Sequence, residues 1–295
     1  MPSVSVIIPT TRRPKLLMRA LASVLGQTLV DLEVVIVIDG PNHETIADLA
    51  DIDDCRVRVV KNEVAVGAAE ARNIGVAAAQ AAWVAFLDDD DEWVPHKLER
   101  QLAAAGSSDE AVIISCLSEI KTRQGRYVWP RRIYDNATAI DDYLFDRRSF
   151  RRGETMLQTS SLLMPRRLVT GLRFTDAHDD WDFLIRAVKL RNARIITVVE
   201  PLVIIYQDEQ RESLSANFPW RSSLDWIEKT RPHISRRAYS GFCLTVVAPQ
   251  AAKTAGKSVF LMLLYRAFRN GSPRPTHIAL YFIFWLRSIF PFRQQ

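Results

Sequence analysis

A chain of 295 residues, 48% hydrophobic and 25% charged, is long enough for a full buried core and too apolar for long disordered stretches. Its net charge of +5 suits an anionic partner, whether a diphosphate, an acidic membrane surface or nucleic acid, without choosing among them. The three cysteines, Cys55, Cys116 and Cys243, are widely spaced and in no CxxC pattern, which argues against a disulfide framework and a zinc site and for a reducing cytosol.

Only a few apolar residues precede Arg12 and Arg13, so the N-terminus lacks the basic-then-apolar layout of a signal peptide and reads as a strand. Val4 to Ile8 is a β-branched run stopped by Pro9, and Glu33 to Ile38 is a second, stopped by Asp39-Gly40-Pro41. Between them Leu16, Leu17, Ala20, Leu21, Val24 and Leu25 recur at helical spacing, with Pro14 as start and Gly26 as stop signal. A strand at Arg56 to Val60, a helix from about Ala68 to Gln80 and a strand at Trp83 to Leu87 continue the alternation. The pattern predicts a parallel sheet covered by helices on both faces.

Beyond Leu87 the regularity weakens. The spacing predicts a helix over Lys97 to Ala105, a strand over Val112 to Leu117, a hairpin turn at Gln124-Gly125 and a short strand at Ser161 to Met164. A helix over Trp181 to Leu190 and strands near Arg194 to Val199 and Leu202 to Tyr206 follow. From about Trp220 the chain reads as all-helical. Its last segment, Thr276 to Phe290, is densely apolar but shorter than the roughly 20 residues of a membrane span, and Arg287 interrupts it. Two readings fit: a helix packed on the preceding domain, or an interfacial helix on a lipid surface with Lys257, Arg266, Arg269, Arg274, Arg287 and Arg293 nearby.

Chemistry concentrates at four places. Asp88-Asp89-Asp90-Asp91 directly follows an apolar strand, where the carboxyl ends of parallel strands form ligand sites. Adjacent carboxylates repel one another unless cations compensate, and oxygen ligands of this kind suit Mg²⁺ or Mn²⁺ bridging a diphosphate. Asp91 and Glu92 also suit capping of a helix that starts near Pro95. Asp39 ends its strand before Gly40, where it either accepts hydrogen bonds from a ligand or starts a turn. Gly67 to Gly75 is rich in small residues that let a helix approach a ligand or a strand closely, and Arg72 within it meets an anion or a base carbonyl, while Asn73 needs an amide partner. His178-Asp179-Asp180-Trp181-Asp182 precedes a helical pattern and offers either a cap or a general base, for which Asp180 is the choice.

Together, Val4-Ser-Val-Ile-Ile-Pro-Thr10, Asp39, Ala71-Arg72-Asn73-Ile74-Gly75, Phe86-Leu87-Asp88-Asp89-Asp90-Asp91-Glu92-Trp93 and Asp180-Trp181-Asp182 resemble glycosyltransferase family 2 in order and spacing over roughly residues 3 to 210. The resemblance implies an α/β GT-A fold, a Rossmann-like, mainly parallel sheet with helices on both faces plus a C-terminal helical extension. Residues 1–215 would form the catalytic domain, with 1–92 as nucleotide-binding half and 93–215 as acceptor half, and 216–295 a helical region that packs on it or meets a membrane. By the same resemblance Pro9, Thr10, Asp39, Arg72 and Asp89 hold the donor nucleotide, Asp90 and Asp88 the metal, and Asp180 is the base. Tyr206 to Ser215, with Arg211, resembles the segment that closes over the donor diphosphate. Thr11 and Arg12 stand where many members have Tyr-Asn, and no Gln-x-x-Arg-Trp follows, so the chain looks like an enzyme adding one sugar rather than a processive synthase.

The activity so implied is metal-dependent, inverting transfer of a sugar from a nucleotide diphosphate donor, with UDP-sugar the default, to a hydroxyl of a glycan or lipid-linked glycan in surface polysaccharide or glycoconjugate synthesis. The enzyme would be cytoplasmic or peripheral on the inner face of the cell membrane. A nucleotidyltransferase would carry a Gly-rich loop after the first strand, and Pro9-Thr-Thr-Arg-Arg-Pro14 has none. A non-catalytic nucleotide-sugar or glycan-binding scaffold would lack the base or the metal acids, and both are present. No basic run with interleaved aromatics marks a nucleic-acid binder.

Overall fold

The computed structural model describes residues 2–106, 111–175, 177–207, 219–252 and 254–289. It divides into two compact units, Met1–Asp135 with Met156–Glu209, and Asn136–Thr155 with Gln210–Gln295.

The first unit begins as the sequence predicts, with β1 (Val4–Thr10), α1 (Pro14–Leu25) and β2 (Leu32–Ile38). Pro9 does not end its strand. Beyond Ile7, β1 is bordered by β2 alone, and the backbone of Pro9 faces the side where pairing has stopped, so its missing N–H costs no ladder bond. α1 opens on Pro14 and buries Leu17, Ala20, Leu21 and Val24 on one face. A helix the periodicity missed, α2 (His43–Ala50), follows, started by Asn42, whose side chain accepts from the Thr45 amide at 3.1 Å. Then come β3 (Val57–Lys61), α3 (Ala68–Ala78) and β4 (Trp83–Phe86). Gly75 lets α3 close on the sheet: a Cβ there would lie 2.4 Å from Cγ2 of Ile7.

After β4 the chain forms β5 (Asp91–Trp93), α4 (Lys97–Ala105), β6 (Val112–Thr122) and β7 (Gly125–Trp129), the last two joined by the predicted hairpin turn. α5 (Ile140–Phe145) belongs to the second unit. The first unit resumes with β8 (Leu163–Pro165), α6 (Arg166–Leu172), α7 (Asp179–Arg191) and β9 (Arg194–Tyr206). Where two strands were expected, β9 is one, because the break at Glu200-Pro201 is absorbed as a bulge: Cys116 pairs Val198 and Leu117 pairs Pro201.

Among the described residues the strands form one nine-stranded sheet in the order β3-β2-β1-β4-β8-β6-β9-β5, with β7 on β6. β3, β2, β1 and β4 are mutually parallel, β8 runs antiparallel to β4 and β6, β9 is parallel to β6, and β5 is antiparallel to β9. β1 and β2 are buried along their whole length, as strands covered on both faces are.

The second unit is helical: α5, α8 (Trp220–Thr230), α9 (Arg236–Phe242), a π-helical turn over Cys243–Val247, α10 (Ala248–Ala251), α11 (Lys257–Asn270) and α12 (Pro275–Ile289). Phe145, Trp226 and Phe242 pack as a ring cluster with centroids 5.0 to 6.1 Å apart. The unit includes residues 136–155, which the sequence placed with the acceptor half. No helix among the described residues is long and apolar enough to cross a membrane.

Candidate active site

The site gathers at the carboxyl ends of β1, β2 and β4 and the start of α7. Each member of the acidic run meets a different environment. Asp88 accepts from Arg72 at 2.6 Å. Buried Asp89 accepts from the Thr10 hydroxyl at 2.7 Å and from Arg13 at 3.3 Å. Burial pushes its carboxyl up to about 6 against the pull of Thr10 and Arg13. Asp90 meets Arg13 at 3.2 Å, and its backbone carbonyl accepts from Arg19 at 3.0 Å. Asp91 turns inward and accepts from Gln158 and the Ser160 hydroxyl, both at 2.7 Å. Asp91 and Glu92 therefore do not cap the next helix, whose N-cap is His96. Both lie in β5, and Glu92 pairs with Arg19 at 3.0 Å.

Arg72 is the hinge of the arrangement. Buried on α3, it pairs with Asp88 and also with Asp179 at the start of α7. One guanidinium thus joins the two acidic motifs that the sequence reads as separate clusters. Its neighbour Asn73 finds the required partner by exchanging two hydrogen bonds with the backbone of Phe174, at 2.8 and 3.0 Å. Phe174 packs edge-on against Phe86 at 5.1 Å and stacks on Phe183 at 4.6 Å, which ties α7 to the end of β4.

Asp180 is the second residue of α7 and retains some solvent contact. Its carboxyl is held well above the ordinary carboxylate range, first by burial and then by the charge of Asp179. Asp179 is raised as well, by burial, with Arg72 pulling the other way. His178 stacks on Trp181 at 5.0 Å, and burial lowers its imidazole to about 4, so it adds no positive charge near neutral pH.

Asp39 stands at the end of β2 and organises the loop before α3. Its two oxygens accept from the Val66 and Gly67 amides at 2.8 and 2.9 Å, and Asn62 adds a third contact at 3.2 Å. Pro9 and Thr10 form the end of β1, with Thr10 tied to Asp89. Arg211 lies outside the described residues, as does most of the Tyr206 to Ser215 segment. Sequence reasoning missed Arg13, Arg19, Gln158 and Ser160. The signal for Arg13 was available, because an acidic run at one strand end needs cations and Arg12-Arg13 follows the neighbouring strand.

No three His, Cys, Asp or Glu side chains are grouped to enclose an ion among the described residues. The donors present, the Asp88 and Asp90 carboxylates, are hard oxygens. They fit Mg²⁺ or Mn²⁺, which complete an octahedral shell with water and phosphate oxygens rather than with a protein cage.

Comparison with known proteins places this site in a class. The chain belongs to glycosyl transferase family 2, whose profile matches residues 5–170, and it is a glycosyltransferase. Over 281 residues, 90% of either chain, it is 27% identical to the amylovoran biosynthesis glycosyltransferase AmsB of Erwinia amylovora. It is 30% identical over 135 residues to WfgD of Escherichia coli, a UDP-Glc:alpha-D-GlcNAc-diphosphoundecaprenol beta-1,3-glucosyltransferase, covering 45% of this chain and 53% of WfgD. Among solved structures, S. aureus TarS 1–349 in complex with UDP-GlcNAc superposes with a TM-score of 0.61 at 16% identity, covering 97% of this chain and 91% of TarS, which shows the shared GT-A fold.

Proposed function

We propose that this glycosyltransferase inverts the anomeric centre as it moves a sugar from a UDP-sugar to a hydroxyl of a glycan or lipid-linked glycan, in the assembly of a surface polysaccharide. The observation that carries the reading is the Arg72 bridge, which sets the acidic run and the α7 acids in one centre. Inversion needs a base on one face of the sugar and charge neutralisation on the other. Asp180, with its raised carboxyl, takes the proton of the acceptor hydroxyl, whose oxygen bonds to the anomeric carbon as the bond to the diphosphate breaks and its electron pair leaves with the nucleotide. Asp39, Pro9, Thr10, Arg72 and Asp89 hold the nucleotide, with Arg211 on the diphosphate. Mg²⁺ or Mn²⁺, held by Asp90 and Asp88, supplies positive charge to the leaving diphosphate when bound. Arg13, bonded to both Asp89 and Asp90, offsets the repulsion between those carboxylates. The names of AmsB and WfgD support a polymer and an undecaprenol-linked acceptor, and with them a place at the inner face of the membrane. In domain terms, 1–215 without the 136–155 stretch is the catalytic part, and 216–295 with that stretch is the helical region that serves the acceptor.

Thermal-shift and calorimetric titrations with UDP, GDP, dTDP and CMP, each with Mn²⁺ and with EDTA, test this reading. UDP binding that needs Mn²⁺ and is lost in Asp90→Ala is the expected result. If no nucleotide binds under any condition, the donor-site reading falls.

A further inference from the structure

The chain's charge is divided unevenly. Residues 229–295 contain 11 Lys or Arg and no Asp or Glu, which leaves 28 basic against 34 acidic residues in the rest of the chain. This acid-free stretch also carries much of the exposed apolar surface. α11 buries Phe260, Leu263 and Ala267 and turns Leu261, Tyr265 and Phe268 outward, each more than half exposed. α12 buries His277, Leu280 and Tyr281 and leaves Phe282, Ile283 and Leu286 exposed. The two helices meet through Phe260 against Tyr281 and Trp285, so their inner faces are satisfied and the outer ones are surplus to the fold. Arg269 lies 6.0 Å from the Tyr265 ring, setting a cation beside the exposed stripe.

A second feature of the same unit points the same way. The loop 146–154 is pinned by two buried acids: Asp146 accepts from Arg274 at 2.6 Å, and Glu154 accepts from the Arg148 and Ser149 amides at 3.0 Å. Thr276, at the start of α12, donates to the Arg147 carbonyl at 2.6 Å. With its own acids turned inward, the loop presents Phe150 to solvent beside exposed Arg148 and Arg151.

We infer that this face of the C-terminal unit is a docking surface for an anionic lipid bilayer, on which α11, α12 and the Phe150 loop lie without crossing. Apolar side chains among cations on short helices fit the headgroup boundary, and neither helix is long and apolar enough to span. Charge argues against a second copy seated on the same face, since a two-fold contact would set the acid-free α11 and α12 segments against themselves. Nucleic acid would leave the exposed Leu and Ile side chains without use. The inference rests on the proposed lipid-linked acceptor for its purpose, but not for its test.

The test is flotation of the full chain with vesicles of phosphatidylcholine, alone or mixed with phosphatidylglycerol. The expected result is partition onto the mixed vesicles only, weakened by salt. Arg269→Gln should lower partition about fivefold, the value of one cation near an anionic surface. The double variant L261N/F268N should lower it about tenfold through lost apolar contact. Both substitutions are at exposed positions and should leave melting and sugar transfer to a water-soluble acceptor unchanged. Equal binding to neutral vesicles, no binding to either, or parental flotation of both variants overturns the inference. So does a dimer in light scattering that L261N/F268N dissolves, which would give the face to a second copy. Flotation needs no donor, so its failure leaves the functional reading standing, and failure of the nucleotide titrations leaves the docking face standing.

Discussion

Asp180 in the catalytic unit and Asp146 in the helical unit are both enclosed aspartates, and their protons behave in opposite ways. Asp180 is raised, because burial is reinforced by the neighbouring Asp179 and Arg72 is spent on Asp88 and Asp179. Asp146 is nearly inaccessible to solvent, more so than Asp180, yet its carboxyl is held far below the ordinary range, since the hydrogen bonds of His277 and Arg274 outweigh the cost of burial. Enclosure alone decides neither outcome; the number of donors aimed at the carboxylate does. An under-compensated acid in a site is poised to take a proton, whereas an over-compensated one holds two segments together.

The largest effect expected from this contrast is on turnover. Asp180→Asn should cut transfer about 10²- to 10⁴-fold, the range of general-base catalysis, with donor binding kept. In the parent, kcat/KM should fall as pH drops through about 7, where this carboxyl takes up its proton. Stability carries the matching sign. The folded state holds the proton more tightly than the unfolded chain, so this group's contribution is full below the ordinary carboxylate range and is lost as pH rises to about 7. Asp180→Asn should therefore melt above the parent at pH 8 and level with it at pH 4. Unchanged turnover, or a lower melting point at pH 8, would move Asp180 into the structural class.

Asp146→Ala tests the other side. It strips fully buried His277 of its 3.2 Å contact and Arg274 of its 2.6 Å contact, and should cost about 2–3 kcal/mol in urea unfolding, below the usual loss for a broken buried pair because Arg274 can rehydrate. Nucleotide binding should be unaffected. A loss under about 0.5 kcal/mol would show that the contacts around Asp146 are dispensable.

How much of this was legible in the sequence follows the same physics. β1 and β2 are dense β-branched runs with punctuation at their ends, and β1 to β4 alternate with helical patterns, so their parallel direction could be read directly. α2, α5 and α6 have 6 to 8 residues each, too few turns for a period to stand out. β5 was hidden because Asp91-Glu92-Trp93 does not look like a strand. Gln158 and Ser160, far along the chain, supply donors that make the burial of Asp91 tolerable. The site's acids were visible as a run, but which carboxylate meets which cation depends on strand order, and so the Arg13 contacts and the Arg72 bridge between residues 88 and 179 emerged only in three dimensions.

Asp39 gives the smallest effect and the finest test of the comparison, because its carboxylate is compensated by backbone amides rather than by cations. Its bonds to Val66 and Gly67 lie at an exposed loop, so water can replace them, and Asp39→Ala should cost no more than about 1 kcal/mol of stability. If the carboxylate also holds the donor's base, the same substitution should weaken UDP binding about tenfold, the worth of a hydrogen bond or two to a charged group. A stability loss above about 2 kcal/mol with unchanged nucleotide affinity would place Asp39 with Asp146, as an acid that builds the loop and does nothing more. Weakened binding with little change in melting would place it with Asp180, among the acids whose compensation is left open for a ligand.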